Sequence, residues 1–240
     1  MFGKLLKYEM KAISRTMLPI YLLTLVSSVF AGASIGYSSN NASSFLPATG
    51  LTAYTILVGL TFGVCLFVNI LRFRDDLFGK KAYSTLTLPV SLPSHIFAKL
   101  LASTIWMFFS SVIFITSIII LTIAAGKFNP AFIIENPQKI IDQFTRLSSK
   151  DLAMAAGIIL TSFISSMMHI YASIAVGYQF HQHPLLASII AYIVTGVISI
   201  AFINFSVDDL AMFMLVSRSI EAVIFFGICY GIMRFHMNLE

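Results

Sequence analysis

The chain has 240 residues, of which 58% are hydrophobic and 10% charged, with a formal net charge of +5 and a mean hydropathy of +0.90. A soluble domain carries about 25% charged residues, so this chain lacks the polar surface that a globule in water needs. The net positive charge does not point to nucleic acid, because the basic residues sit mainly at the ends of apolar runs, where lipid headgroups and topology account for them.

At the N-terminus, Phe2, Leu5, Leu6, Met10 and Ile13 recur at near-helical spacing, while Lys4, Lys7, Lys11 and Arg15 line another face. This pattern predicts a basic amphipathic helix over 1–15, lying in the headgroup plane as an elbow before the chain turns into the bilayer. The apolar run after it is long enough to span, and no small-residue cleavage pattern follows, so it reads as an uncleaved first helix.

A span needs about 20 mostly apolar residues. Six segments qualify: 17–37, 49–71, 99–125, 152–178, 185–205 and 212–233. The expected fold is therefore an all-α membrane protein of six transmembrane helices, forming one transmembrane domain. Pro19, Pro47, Pro89, Pro93, Pro130, Pro137 and Pro184 all fall in connections or in the first turn of a span, where a missing N–H is tolerated. With the N-terminus inside, ten basic residues (Lys4, Lys7, Lys11, Arg15, Arg72, Arg74, Lys80, Lys81, Lys99 and Arg234) lie on the cytoplasmic side. Four (Lys127, Lys139, Arg146 and Lys150) lie outside. The excess predicts both termini in the cytoplasm.

The loop over 72–96, between spans two and three, is long, charged and cytoplasmic. Its Leu77 and Phe78 sit among Arg74, Asp75, Asp76, Lys80 and Lys81. Two large apolar residues flanked by charges suit an exposed docking helix, the apolar pair anchoring a partner and the charges fixing register. The outer loop over 126–151 carries Ile140, Ile141, Phe144 and Leu147 at helical spacing, a short surface helix.

Within the spans, Arg218 and Glu221 stand three apart in the sixth, able to bridge on one helix face. Such residues in hydrocarbon face protein or water, so the pair is either a structural bridge or a polar gate on a transport path. His169 in the fourth span reads first as a hydrogen-bonded packing residue and second as part of that path. His181 and His183 are too few for a metal site, and Cys65 and Cys229 lie in apolar segments without a metal or disulfide pattern. Gly32/Gly36, Gly59/Gly63 and Gly227/Gly231 repeat the small-residue spacing that lets spans pack closely. There is no phosphate-binding loop, nucleophile elbow or His-Glu-x-x-His pair, so no catalytic residue is assigned.

Three stretches resemble the permease subunits of bacterial ATP-binding-cassette (ABC) exporters, of the six-helix kind with a separate ATPase chain. They are Lys7-Tyr-Glu9 on the basic helix, then Ala82-Tyr-Ser-Thr-Leu-Thr-Leu-Pro-Val-Ser91 followed by Lys99-Leu-Leu-Ala-Ser103, and the terminal Met237-Asn-Leu-Glu240. The resemblance implies that the loop after span two is a coupling helix on a cytoplasmic ATPase. It implies two permeases, identical or homologous, on two ATPases that hold ATP and Mg, with no cofactor in this chain. It also implies a location in the bacterial cell membrane. Polysaccharide-exporting relatives carry a large insertion between spans five and six, where this chain has only 206–211. A peptide-like or amphipathic cargo is expected instead. The alternatives are a non-transporting scaffold or sensor subunit, or an intramembrane enzyme using His169, Arg218 and Glu221.

Overall fold

A computed structural model describes residues 2–40, 45–79, 91–126, 149–180, 182–203 and 210–235. These form six helices: α1 Phe2–Asn40, α2 Phe45–Leu77, α3 Leu92–Ala124, α4 Ser149–Gly177, α5 Pro184–Ile203 and α6 Leu210–Phe235. No strand occurs among the described residues.

Five of the helices, all but α5, are long and apolar enough to cross a membrane; the apolar stretch Pro184–Ile200 of α5 is shorter. Large apolar side chains are exposed along all six helices. On α5 alone Leu185, Leu186, Ile189, Ile190, Ile193, Val194 and Val197 are exposed. Water would not tolerate so continuous an apolar face, and a helix hydrophobic all round belongs in a larger core or a bilayer. The chain is a membrane-embedded helical protein.

Two expectations about element boundaries change. The N-terminal stretch is helical, with Lys4, Lys7, Lys11 and Arg15 all exposed, but it is not a separate elbow. It runs without interruption into the first span as one helix of 39 residues, with Pro19 inside. Proline removes the hydrogen bond to the carbonyl four residues back, here Arg15, and a helix can absorb that single loss. The switch from an amphipathic to an all-apolar pattern changes what the helix faces, not its backbone. Likewise α2 does not stop at residue 71 but carries Arg72–Leu77 as its last turns. At about 1.5 Å per residue, a 33-residue helix is about 50 Å long against about 30 Å of hydrocarbon, so its charged end projects beyond the core.

The chain divides into two compact units. One comprises Met10–Val68 with Ile105–Leu147; the other comprises Met1–Glu9, Asn69–Thr104 and Ser148–Glu240. In the first unit three hydroxyl bridges tie the helices pairwise. Thr24 bonds Thr61 between α1 and α2 at 2.7 Å. Tyr21 bonds Ser110 between α1 and α3 at 2.8 Å, and Tyr54 bonds Ser117 between α2 and α3 at 2.8 Å. Several of these hydroxyls also bond a carbonyl one turn back on their own helix, as Thr24 does to Ile20 and Ser110 to Trp106. That leaves few polar groups bare in an apolar medium. In the second unit α4 packs along both α6 and α5, whereas α5 and α6 meet each other at few points.

The three glycine pairs behave differently. A side chain at Gly32 would collide with the carbonyl of Leu121 and with Ala124, and at Gly36 it would touch Ala124 and Ala125. That pair is a close seam between α1 and α3. Around Gly59, Gly63, Gly227 and Gly231 no described residue comes within 4 Å of an added side chain, so among the described residues those pairs pack nothing.

Candidate functional site

The second unit holds two polar constellations. The first gathers the N-terminal turns of α1, the end of α2 and the start of α3. Lys99 stands in the apolar run Ile96–Leu101, where an isolated ammonium must find partners or move. It donates to Glu9 Oε1 at 2.8 Å, to Asp76 Oδ2 at 2.5 Å and to the Arg72 carbonyl at 3.5 Å, which uses all three of its N–H donors. Arg72 completes the set by donating through Nε at 3.1 Å and Nη2 at 2.9 Å to Glu9 Oε2. The Lys99 side chain is 5% exposed and that of Glu9 9%. Two carboxylates and two cations cancel, so Lys99 and Glu9 are buried within a cluster of no net charge whose Arg72 stays partly exposed. Arg74 and Asp75 form a more exposed pair alongside. Nearby, His95 is buried with Nε2 unpartnered among the described residues.

The residues expected to dock a partner divide here. Leu77 is fully buried and is not an exposed anchor. Once α2 continues to its end, Phe73 and Leu77 fall one turn apart on the face turned inward, where Phe73 stacks flat on Tyr171 of α4 at 3.9 Å. Phe78 is half-buried and leans on Phe73 and on Tyr178 at 5.1 Å. Asp76 points into the ion cluster rather than outward. Lys80 and Lys81 lie outside the described residues, as do the rest of the expected coupling helix, the outer surface helix and the terminal Met237–Glu240.

The second constellation lies within the spans. Arg218 Nη1 donates to Glu221 Oε2 at 2.9 Å, the bridge expected from their spacing. Ser165 of α4 donates to the same oxygen at 3.0 Å. Glu221 Oε1 is buried and takes no hydrogen bond from any described residue. One turn beyond Ser165, His169 bonds Thr195 of α5 through Nε2. Its ring is sandwiched between Tyr192 at 4.5 Å and Phe225 at 4.7 Å. His169 thus ties α4 to α5 and α6. It lies beside the Arg218–Glu221 pair without bonding to it.

Sequence reasoning missed Glu9, Arg72 and Lys99 as a cluster, and Ser165 and Thr195 as partners. A lone lysine in an apolar run and a hydroxyl one turn from a buried histidine were the available signals. Compared with known proteins, the chain matches no family model, no curated protein and no solved structure.

Proposed function

We propose that the chain is the membrane-spanning permease subunit of an ATP-driven exporter in a bacterial cell membrane. In this reading it has six spans and cytoplasmic termini, and it pairs with a second permease, identical or homologous. It works with a separate ABC ATPase that holds ATP and Mg. The observation that carries the reading is the neutral ion cluster of Glu9, Arg72, Asp76 and Lys99. It fastens the N-terminal helix, the end of α2 and the start of α3 to one another, beside the point where the charged segment after α2 begins. Force applied to that segment by a moving partner would reach α2, α3 and α1 together rather than bending one loop. Such coupling is what a permease powered from outside itself requires. The cargo that fits best is amphipathic.

With Leu77 buried and Phe78 occupied by Tyr178, recognition of the ATPase falls to the charged residues that follow. The test is co-expression with ABC ATPases from the same cell, comparing the wild-type chain with Lys80→Glu/Lys81→Glu. We expect the wild type to co-purify with one ATPase, and the double variant to lose that partner while keeping its thermal stability. A wild-type chain that recruits none of them sinks the proposal; recruitment without any effect on export of amphipathic compounds marks a scaffold instead.

A further inference from the structure

Lys11 and Arg15 are the last cations of α1 before its apolar stretch, and both are exposed. Each residue of a helix turns about 100°, so steps of three and four return to one face. Lys11, Arg15, Leu18, Leu22 and Val26 follow such steps, and all of them are exposed. The opposite face, with Ile13, Met17, Tyr21 and Thr24, is buried, and its Tyr21 and Thr24 bond α3 and α2. The outer face thus presents two cations and then, without a break, a bare aliphatic stripe.

Among the described residues no carboxylate pairs with either cation. Glu9 is the only acid in α1, and its two oxygens are taken by Arg72 and Lys99. Scattered cations beside a span need no explanation beyond orientation. These two are not scattered. Because α1 is one uninterrupted helix, they stack along its axis about 6 Å apart, and Arg15 precedes Leu18 by about 4.5 Å. With the stripe among acyl chains, both cations stand at the depth of the phosphates. An inorganic anion or an acidic peptide would meet the charges and leave the stripe bare. An anionic phospholipid answers both, with a phosphate for the cations and a chain for the stripe.

We propose that this face of α1 is a site for one anionic phospholipid, its phosphate held between Lys11 and Arg15 and an acyl chain lying along Leu18, Leu22 and Val26. Such a lipid would be held whether or not the chain is a permease. Binding is therefore measured on the full chain alone, without an ATPase. The purified chain is exchanged into detergent holding equal amounts of phosphatidylglycerol and phosphatidylcholine with the same acyl chains. Retained lipid is then counted by native mass spectrometry.

We expect one phosphatidylglycerol to be retained about thirtyfold over phosphatidylcholine, the scale of two basic residues near an anionic headgroup. Lys11→Gln/Arg15→Gln should bring the two lipids level. Lys4→Gln/Lys7→Gln removes the same charge from the same helix, farther from the stripe, and should keep most of the preference. Lys11→Arg/Arg15→Lys preserves both charges and should keep it too. Equal retention of the two lipids by the wild type overturns the proposal, and that comparison needs no variant to fold. Equal loss in the two glutamine variants overturns it as well, because net charge rather than a site is then at work. A preference that survives Lys11→Gln/Arg15→Gln does the same. Recruitment of an ATPase is read separately, so the two proposals fail by different observations.

Discussion

Lys99 holds together segments that lie far apart in the chain, reaching Asp76 across 23 positions and Glu9 across 90. Removing one member of a buried ion group leaves its partners charged and unpaired, a loss of about 3–5 kcal/mol. Lys99→Met should therefore lower the thermal midpoint in detergent substantially, leaving Glu9 and Asp76 with Arg72 as the cluster's only cation. Lys99→Met/Asp76→Leu, which leaves the Glu9–Arg72 pair neutral by itself, should recover most of the loss. Equal destabilisation of the single and double variants would mean that packing, not charge, is at stake. A lysine amid Ile96, Phe97, Ala98, Leu100 and Leu101 was visibly in need of partners from sequence. Their identity was not, because the pairing is set by how helix ends meet. At Arg218 and Glu221 the reverse holds: three residues of spacing on one helix fixed the pair, and only the third member, Ser165 from α4, required the fold.

At the scale of the element, spacing proposes and the opposite surface decides. Gly32/Gly36, Gly59/Gly63 and Gly227/Gly231 look alike in sequence, yet among the described residues only the first pair has a neighbouring helix against it. Gly32→Val should weaken the α1–α3 seam, because the added carbons meet the backbone of Leu121, which cannot step aside as a side chain would. Gly59→Ala adds a methyl to open space and removes the helix penalty of glycine, about 0.5–1 kcal/mol in a helix interior. Its midpoint should stay or rise while that of Gly32→Val falls, in thermal unfolding of the two variants side by side. A fall in both would show that a face of α2 is packed by something other than this chain. The six long helices were legible, since long apolar runs leave little alternative in lipid. Helix ends were not. The joins at residues 16 and 72 were expected where composition changes, whereas α1 and α2 carry the same backbone across them.

For the molecule as a whole, the number of crossings decides which faces of the membrane the two ends occupy, and α5 decides the number. Its 20 residues, at about 1.5 Å each, reach about 30 Å, just the thickness of a hydrocarbon core. The other five helices exceed that length with room for tilt. Were α5 to lie in the interface, five crossings would place the termini on opposite sides, and the basic N-terminal helix could not share a face with Arg234. Six crossings agree with the ten-to-four division of basic residues. They also agree with the exposed face of α5, which is built of large apolar residues while Ser188 and Thr195 face α4; an interfacial helix would expose a polar face instead. After Cys65 and Cys229 are replaced by serine, single cysteines at Lys4 and Asn238 should react with a membrane-impermeant maleimide only when the cytoplasmic face is open. Cysteines at Lys127 and Lys150 should react in intact cells. Labelling of positions 4 and 238 from opposite faces would reduce the chain to five crossings, and would remove the common cytoplasmic face on which an ATPase partner depends.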